Sequence, residues 1–419
     1  NKGGEIVHIG SGALTLAVAD IDNTEGDIVS NGALDIFAKE AKNTSGSLVA
    51  NELEIAANNL ENNGGIIQGQ SVAINLAGDF TNGSEKGINA DGVEIDIAGA
   101  VLTASATPSA NRPALSLDIK GKFDNSGGHL QTQDNLYINA GEFVNSQGVI
   151  LATSRLSTVS GEELATVPPS DWLIIASTFN NQRGTIQSGG RGTLRLDAQT
   201  LNNTQRGSIV AGGTLSLQAK DLDNSQGTLA AASLRVHTDQ LTNSGGLIQA
   251  DNIDVSVVRD LVNTSVVEPA TDAVAQTTVA GVISAIVDDG VATLSLFIGG
   301  LFNNNGGVVQ SNAESIVLTD RTIAAVDEDV PAEPTSGAGR ITNVGGQIVH
   351  LGAGALRVEQ RELDNSRGLI SSNGSANIGT NALNNTLGTV VGNTLNINAT
   401  SLDNSGGAVQ GQTVVISLS

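Results

Sequence analysis

Seventeen asparagines recur along this 419-residue chain at a spacing that leaves few architectures open. They are Asn1, Asn23, Asn43, Asn62, Asn82, Asn125, Asn145, Asn181, Asn203, Asn224, Asn243, Asn263, Asn303, Asn343, Asn365, Asn385 and Asn404, and most neighbours lie 19 to 22 residues apart. Three intervals near 40 residues (82 to 125, 263 to 303, 303 to 343) read as close to two periods, and the 36 residues from Asn145 to Asn181 hold an irregular insert. A fixed period of this length within one chain marks a repeat domain rather than a set of globular ones.

Each copy distributes its side chains in the same way. Two residues before the Asn stands Leu, Ile or Phe, as at Leu60, Phe80, Phe123, Leu222, Leu241 and Leu363. Three residues after it stands Gly in fourteen of the seventeen copies, and five residues after it an aliphatic such as Ile28, Leu48, Ile67 or Ile248. An alternating run follows, as in Ile253, Val255 and Val257 or Val72, Ile74 and Leu76. Alternation over about five residues, punctuated by Asn, Ser and Gly, predicts short β-strands and turns. A unit of about 20 residues cannot bury a core alone, but stacked units set each inward aliphatic above its equivalent and pair each strand with the next coil. The expected fold is all-β, a β-solenoid; some twenty coils at a strand spacing of about 4.8 Å would make a rod roughly 95 Å long.

The repeated asparagines, among them Asn23, Asn43, Asn62, Asn224, Asn243, Asn365, Asn385 and Asn404, are read as turn and ladder residues. Asn tolerates left-handed backbone, and stacked amides can hydrogen-bond along the stack. Gly246 and Gly407, three residues after their asparagines, supply bends that a Cβ would obstruct. Seventeen copies argue for a scaffold, since one ligand site needs only one.

A longer period is superimposed. NKGGEIVHIGSGAL at residue 1 and NVGGQIVHLGAGAL at residue 343 share ten of fourteen residues, and the next asparagines follow at 22, 20 and 19 residues in both places. The spacings after Asn181 are 22, 21 and 19. The expected organisation is one continuous segment over 1–419, with blocks starting near 1, 181 and 343.

Glycine supplies 51 residues and Phe, Trp and Tyr only 7, 1 and 1, so the core should be built from Ile, Leu, Val and Ala. A net charge of -23 without a basic stripe excludes nucleic-acid binding, because phosphates are repelled. There is no Cys for a disulfide or thiolate site. No apolar run approaches the roughly 20 residues of a membrane span, so membrane insertion is not expected. The chain opens on Asn1 with no Met and reads as an internal segment of something longer.

Four stretches break the pattern: about 99–115, 155–172, 264–292 and 321–340, the third open to a second reading as a pair of diverged coils. Loops on a rigid scaffold are where binding residues tend to sit, which makes Asp171 and Trp172 in the second and Glu328 and Asp329 in the fourth the candidate binding residues. Asp327, Glu328 and Asp329 are consecutive and lack the alternating ligand spacing of a calcium loop. His8 and His350 share a repeat position while His129 and His237 stand alone, so no metal site is called. No cofactor is called either. An enzyme on the same architecture would need carboxylates gathered in a groove beside sugar-stacking aromatics, and the acids here are scattered through turns. The reading is therefore not an enzyme, but a spacer or a receptor-binding segment.

The phrases LDNSQGTLAAASLRV, LTNSGGLIQADNIDV and LDNSGGAVQGQTVVI resemble the hemagglutinin repeats of large bacterial two-partner-secretion exoproteins, the family of filamentous haemagglutinin and of contact-dependent growth inhibition effectors. The resemblance implies a right-handed parallel β-helix, export through a dedicated outer-membrane transporter, and a secreted or outer-surface filament that carries a distal adhesive or toxin region. A target-cell receptor for the inserted loops is the further partner it suggests. The family's NPNL and NPNG secretion motifs and the VENN motif before toxin domains are absent, the nearest string being LENN at 60–63. The expectation is a middle portion of the stalk, neither export signal nor toxin.

Overall fold

A computed structural model describes residues 1–88, 94–105, 113–152, 171–268, 276–287, 292–320 and 339–419. They form two compact units, Asn1–Thr214 and Leu215–Ser419. Among the described residues all regular structure is strand and none is helix.

In the first unit each coil contributes three short strands. Asp27–Ser30 lies parallel between Glu5–His8 and Ser47–Val49, Ala33–Phe37 between Ala13–Ala17 and Glu52–Ala57, and Glu40–Lys42 between Asp20–Asp22 and Asn59–Glu61. Parallel pairing of each strand with its equivalent one coil away is what a solenoid requires, and it puts like residues in columns. Ile28, Leu48, Ile67, Leu102, Leu130, Ile150, Ile186 and Ile209 form one buried column, and Ile36, Ile55, Ile74, Leu117, Ile138, Ile174 and Leu196 another. In later coils the second and third strands run together, as in Leu115–Asp124, Leu136–Val144 and Trp172–Asn180.

The second unit is wound alike. Thr228–Thr242 pairs in parallel with Leu247–Val257, and Leu369–Asn384 with Thr389–Asp403. Its buried column of the first strand is Leu229, Ile248, Ile283, Val309, Ile348, Ile370 and Val390.

Three expectations need correction. The long intervals are single coils carrying inserts, not double periods: the amides of Asn82 and Asn125 meet at 2.7 Å across 43 residues, and the stack holds about 17 coils rather than twenty. In the run Asn303, Asn304 and Asn305 the buried repeat asparagine is Asn304, because it is Gly307 that closes its turn. The core is also less aliphatic than composition suggests, since the few aromatics are concentrated in it. Phe80, Phe123, Phe143 and Phe179 stack coil upon coil with ring centroids 4.9, 5.3 and 5.0 Å apart.

Candidate functional site

The corner that precedes the first strand of each coil is built by the repeated asparagine. In the coil of Asn23, the amide of Gly26 donates to the Asn23 carbonyl at 3.1 Å, which closes a four-residue turn. Positive φ falls two residues after the asparagine, at Glu25, Ser45, Gln226 or Gly245, and not on the asparagine itself as expected. The asparagine is kept for its side chain. Asn23 Nδ2 donates to Asn43 Oδ1 at 2.8 Å, and Asn43 Nδ2 to Asn62 Oδ1 at 2.7 Å. The row runs in this one direction from Asn1 to Asn203 in the first unit and from Asn224 to Asn404 in the second, where Asn243, Asn263, Asn304, Asn343, Asn365 and Asn385 are its interior members. Each interior asparagine is buried. A Cβ on Gly246 or Gly407 would collide with the carbonyl oxygen of Asn224 or Asn385, so these glycines are fixed by close approach of the coil beneath.

The residue before the asparagine caps the turn. Asp223 accepts from the Ser225 amide at 2.9 Å and hydroxyl at 2.6 Å. Asn202, Asp364 and Asn384 do the same for Thr204, Ser366 and Thr386. Hydrogen bonds from Thr24 hold Asp22 below the usual carboxylate range. At Asp124 burial pushes the other way, but hydrogen bonds from Lys122 and Ser126 leave its carboxyl lowered.

Two of these corners open into antiparallel hairpins. Ser84–Ile88 pairs with Glu94–Gly99 after Asn82, and Val266–Glu268 with Thr277–Val279 after Asn263. The coil closes across the neck of each: Ala100 N donates to Gly83 O at 3.0 Å, and Gly281 N to Thr264 O at 2.9 Å. The first hairpin therefore lies ahead of the expected 99–115, while the second falls within the expected 264–292 and fills only part of it. Val101–Ala104 and Val282–Ala285, inside those ranges, are ordinary first strands paired on both sides. The sequence carried a signal for the first hairpin in Asp91–Gly92, a dipeptide of tight hairpin turns flanked by alternating residues.

Beside the second hairpin, Leu247, Val282, Ile286 and Val287 with Gln249, Ser284 and Gln310 line an open groove of about 620 Å³. Its rim is pinned, since Asn312 Nδ2 donates to Val287 O at 2.6 Å and Val287 N to Asn312 Oδ1 at 3.0 Å.

The sequence candidates are not brought together. Trp172 is 1% exposed and stacks in register between Leu136 and Leu194, so it is a core residue and not part of a projecting loop. Its indole nitrogen donates to Asp134 O at 3.1 Å. Asp171 is exposed and stitches coils, accepting from Thr193 N at 2.8 Å while its own amide donates to Asn135 Oδ1 at 2.7 Å. Glu328 and Asp329 lie outside the described residues. His350 is buried, with one ring nitrogen 2.9 Å from Ser372 Oγ and the other 2.8 Å from Ala313 O. Among the described residues no cluster of His, Asp or Glu could hold a metal ion.

The haemagglutinin-repeat family model matches residues 8–51, 49–127, 109–191, 158–285 and 351–419. The chain belongs to the haemagglutinin-repeat family. Over 199 residues it is 27% identical to Toxin CdiA of Escherichia coli, a match that covers 42% of this chain and 6% of that protein. No solved structure matches the chain. The asparagine corners described above are thus the three-dimensional form of haemagglutinin repeats.

Proposed function

We propose that this segment is a stalk portion of a large secreted bacterial exoprotein, a rigid spacer that holds a distal adhesive or toxin region away from the cell surface. The observation that carries it is the amide row, buried in all but the end coils, which commits the chain to stacking. Membership of the haemagglutinin repeats and similarity to a toxin support a parent exported through an outer-membrane transporter of a two-partner system. On this reading the segment is not an enzyme. Electron micrographs of the purified segment should show a rod, and a compact globule would sink the proposal.

A second reading has the segment itself bind a receptor on target cells through its inserts. The open groove over the first strand of the coil that carries the second hairpin favours it. Cell-binding assays separate the two: loss of binding on deleting 155–170 or 321–338, or on replacing both Gln249 and Gln310 by Ala, with β-rich circular dichroism intact, supports a receptor site, and unchanged binding by all of these variants supports the spacer.

A further inference from the structure

We propose that the two hairpins are detachable straps, each docked across the two preceding turns of its solenoid and able to leave them without opening the coil that bears it. The same construction occurs twice, on different residues. From the corner of Asn82 the first hairpin reaches back so that Glu85 Oε2 accepts from Ser45 Oγ at 2.6 Å, two turns earlier. From the corner of Asn263 the second reaches back so that Glu268 Oε1 accepts from Gln226 Nε2 at 3.4 Å, again two turns earlier.

Between the anchor and the neck each hairpin passes a glycine. A Cβ on Gly64 would stand 2.8 Å from Glu85 Cβ, and one on Gly245 would collide with Val266 Cγ2. Both glycines hold φ of 63°, yet equivalent turns place Glu25, Ser45, Gln147 or Arg183 at positive φ. Backbone conformation therefore does not demand glycine here, and clearance for the strap does.

The necks explain why the strap can leave. Gly83 O accepts from Gly64 N at 3.0 Å and Ala100 N at 3.0 Å, and Thr264 O accepts from Gly245 N at 2.9 Å and Gly281 N at 2.9 Å, so each neck is tied to the coil before and closed on itself. Past the neck, the amide row and the strand registers continue as in unstrapped coils. The contacts that hold each strap on the two preceding turns are made by side chains, whereas the coil rests on parallel strands and a buried amide. Such an imbalance makes the strap a local opening unit of low free energy. The position recurs too: Asn82 is the fifth repeat asparagine counted from Asn1, and Asn263 the fifth from Asn181.

Hydrogen exchange on the whole chain tests this. Gly245→Val should accelerate exchange of the Val266–Glu268 and Thr277–Val279 amides at least tenfold while Val282–Ala285 and Val308–Ser311 keep their protection. The milder Glu85→Gln should do the same for Ser84–Ile88, with Val101–Ala104 unchanged. Equal acceleration in hairpin and coil would overturn the proposal by making the hairpin integral to the coil. No acceleration in the hairpin would overturn it by showing that it is not held at these contacts.

Discussion

The hairpin-bearing coils of the two units share a neck and differ in almost everything attached to it. Around Asn82 the strap is anchored by a short carboxylate–hydroxyl bond, and the coil beneath packs Phe80 flat on Phe123 at an interplanar angle of 8°. Around Asn263 the anchor is a 3.4 Å bond to an amide, Val267 of the strap is 57% exposed, and Leu261 sits in register with Phe302. What is common to both is the part that closes a coil: the buried asparagine, the neck carbonyl and the glycine or alanine that follows. What varies is outside the coil or inside its core, where side chains of different size still fill a column. Coil closure is therefore separable from decoration.

Three measurements would break or sharpen that comparison. The largest effect is expected in the cores. Phe123→Ala and Phe302→Ala should each cost about 3–5 kcal/mol, and Phe123→Ala should be the worse because its two ring contacts add about 0.5–1.5 kcal/mol apiece. Urea unfolding of the two variants would show it; equal midpoints shifts would mean that the phenylalanine column adds nothing beyond area. Next come the amides. Asn82→Ala and Asn263→Ala each strand a donor and an acceptor on buried neighbours, at about 1–3 kcal/mol per unsatisfied group. The same loss at both sites is the expected outcome by thermal melting, and a near-zero cost at either would show that its neck alone closes the coil.

The smallest effect is electrostatic. The coil after the first hairpin is capped by Asp124, while the corresponding cap after the second is Asn303, whose Oδ1 accepts from Asn305 N at 3.1 Å. Asp124 is held below its ordinary value in the folded chain, so its ionised form stabilises at neutral pH. That contribution is lost as pH falls from the unfolded value of about 4 toward the folded one. Protection of the turn amides at Asn125, taken relative to their intrinsic exchange rate, should therefore fall on acidification, that at Asn304 should not respond, and Asp124→Asn should erase the difference. A response of equal size at both turns would assign the pH dependence elsewhere.

How far the sequence could be read follows the same division. The coil was legible because its period, its inward aliphatics and its asparagines are all local and repeated many times. The register at Asn303 was misread because three asparagines stand in a row, and only the glycine that approaches the Asn263 carbonyl, Gly307, distinguishes them. Trp172 was misplaced because the stretch of about 155–172, where the repeat pattern lapses in sequence, runs into it and hides that it begins a second strand in the Leu136 and Leu194 column. The second hairpin falls inside the stretch 264–292 read as an insert, but the first was placed too late for a physical reason: a strap adds residues without disturbing the row of amides, so the interval lengthens and imitates an extra coil. Nor could the outer groove be read, since Gln249, Ser284 and Gln310 are brought side by side only by the stacking of three coils.

The one-way donation along the amide row gives the stack a chemical arrow. Within each unit the asparagines of the row offer nitrogen toward the higher residue numbers and oxygen toward the lower. A following coil laid on upside down would set nitrogen against nitrogen, as would two stacks meeting last end to last end, and two first ends would set oxygen against oxygen. Only a following coil of the same sense completes the row, so growth of such a fold is a grammar with a single word order.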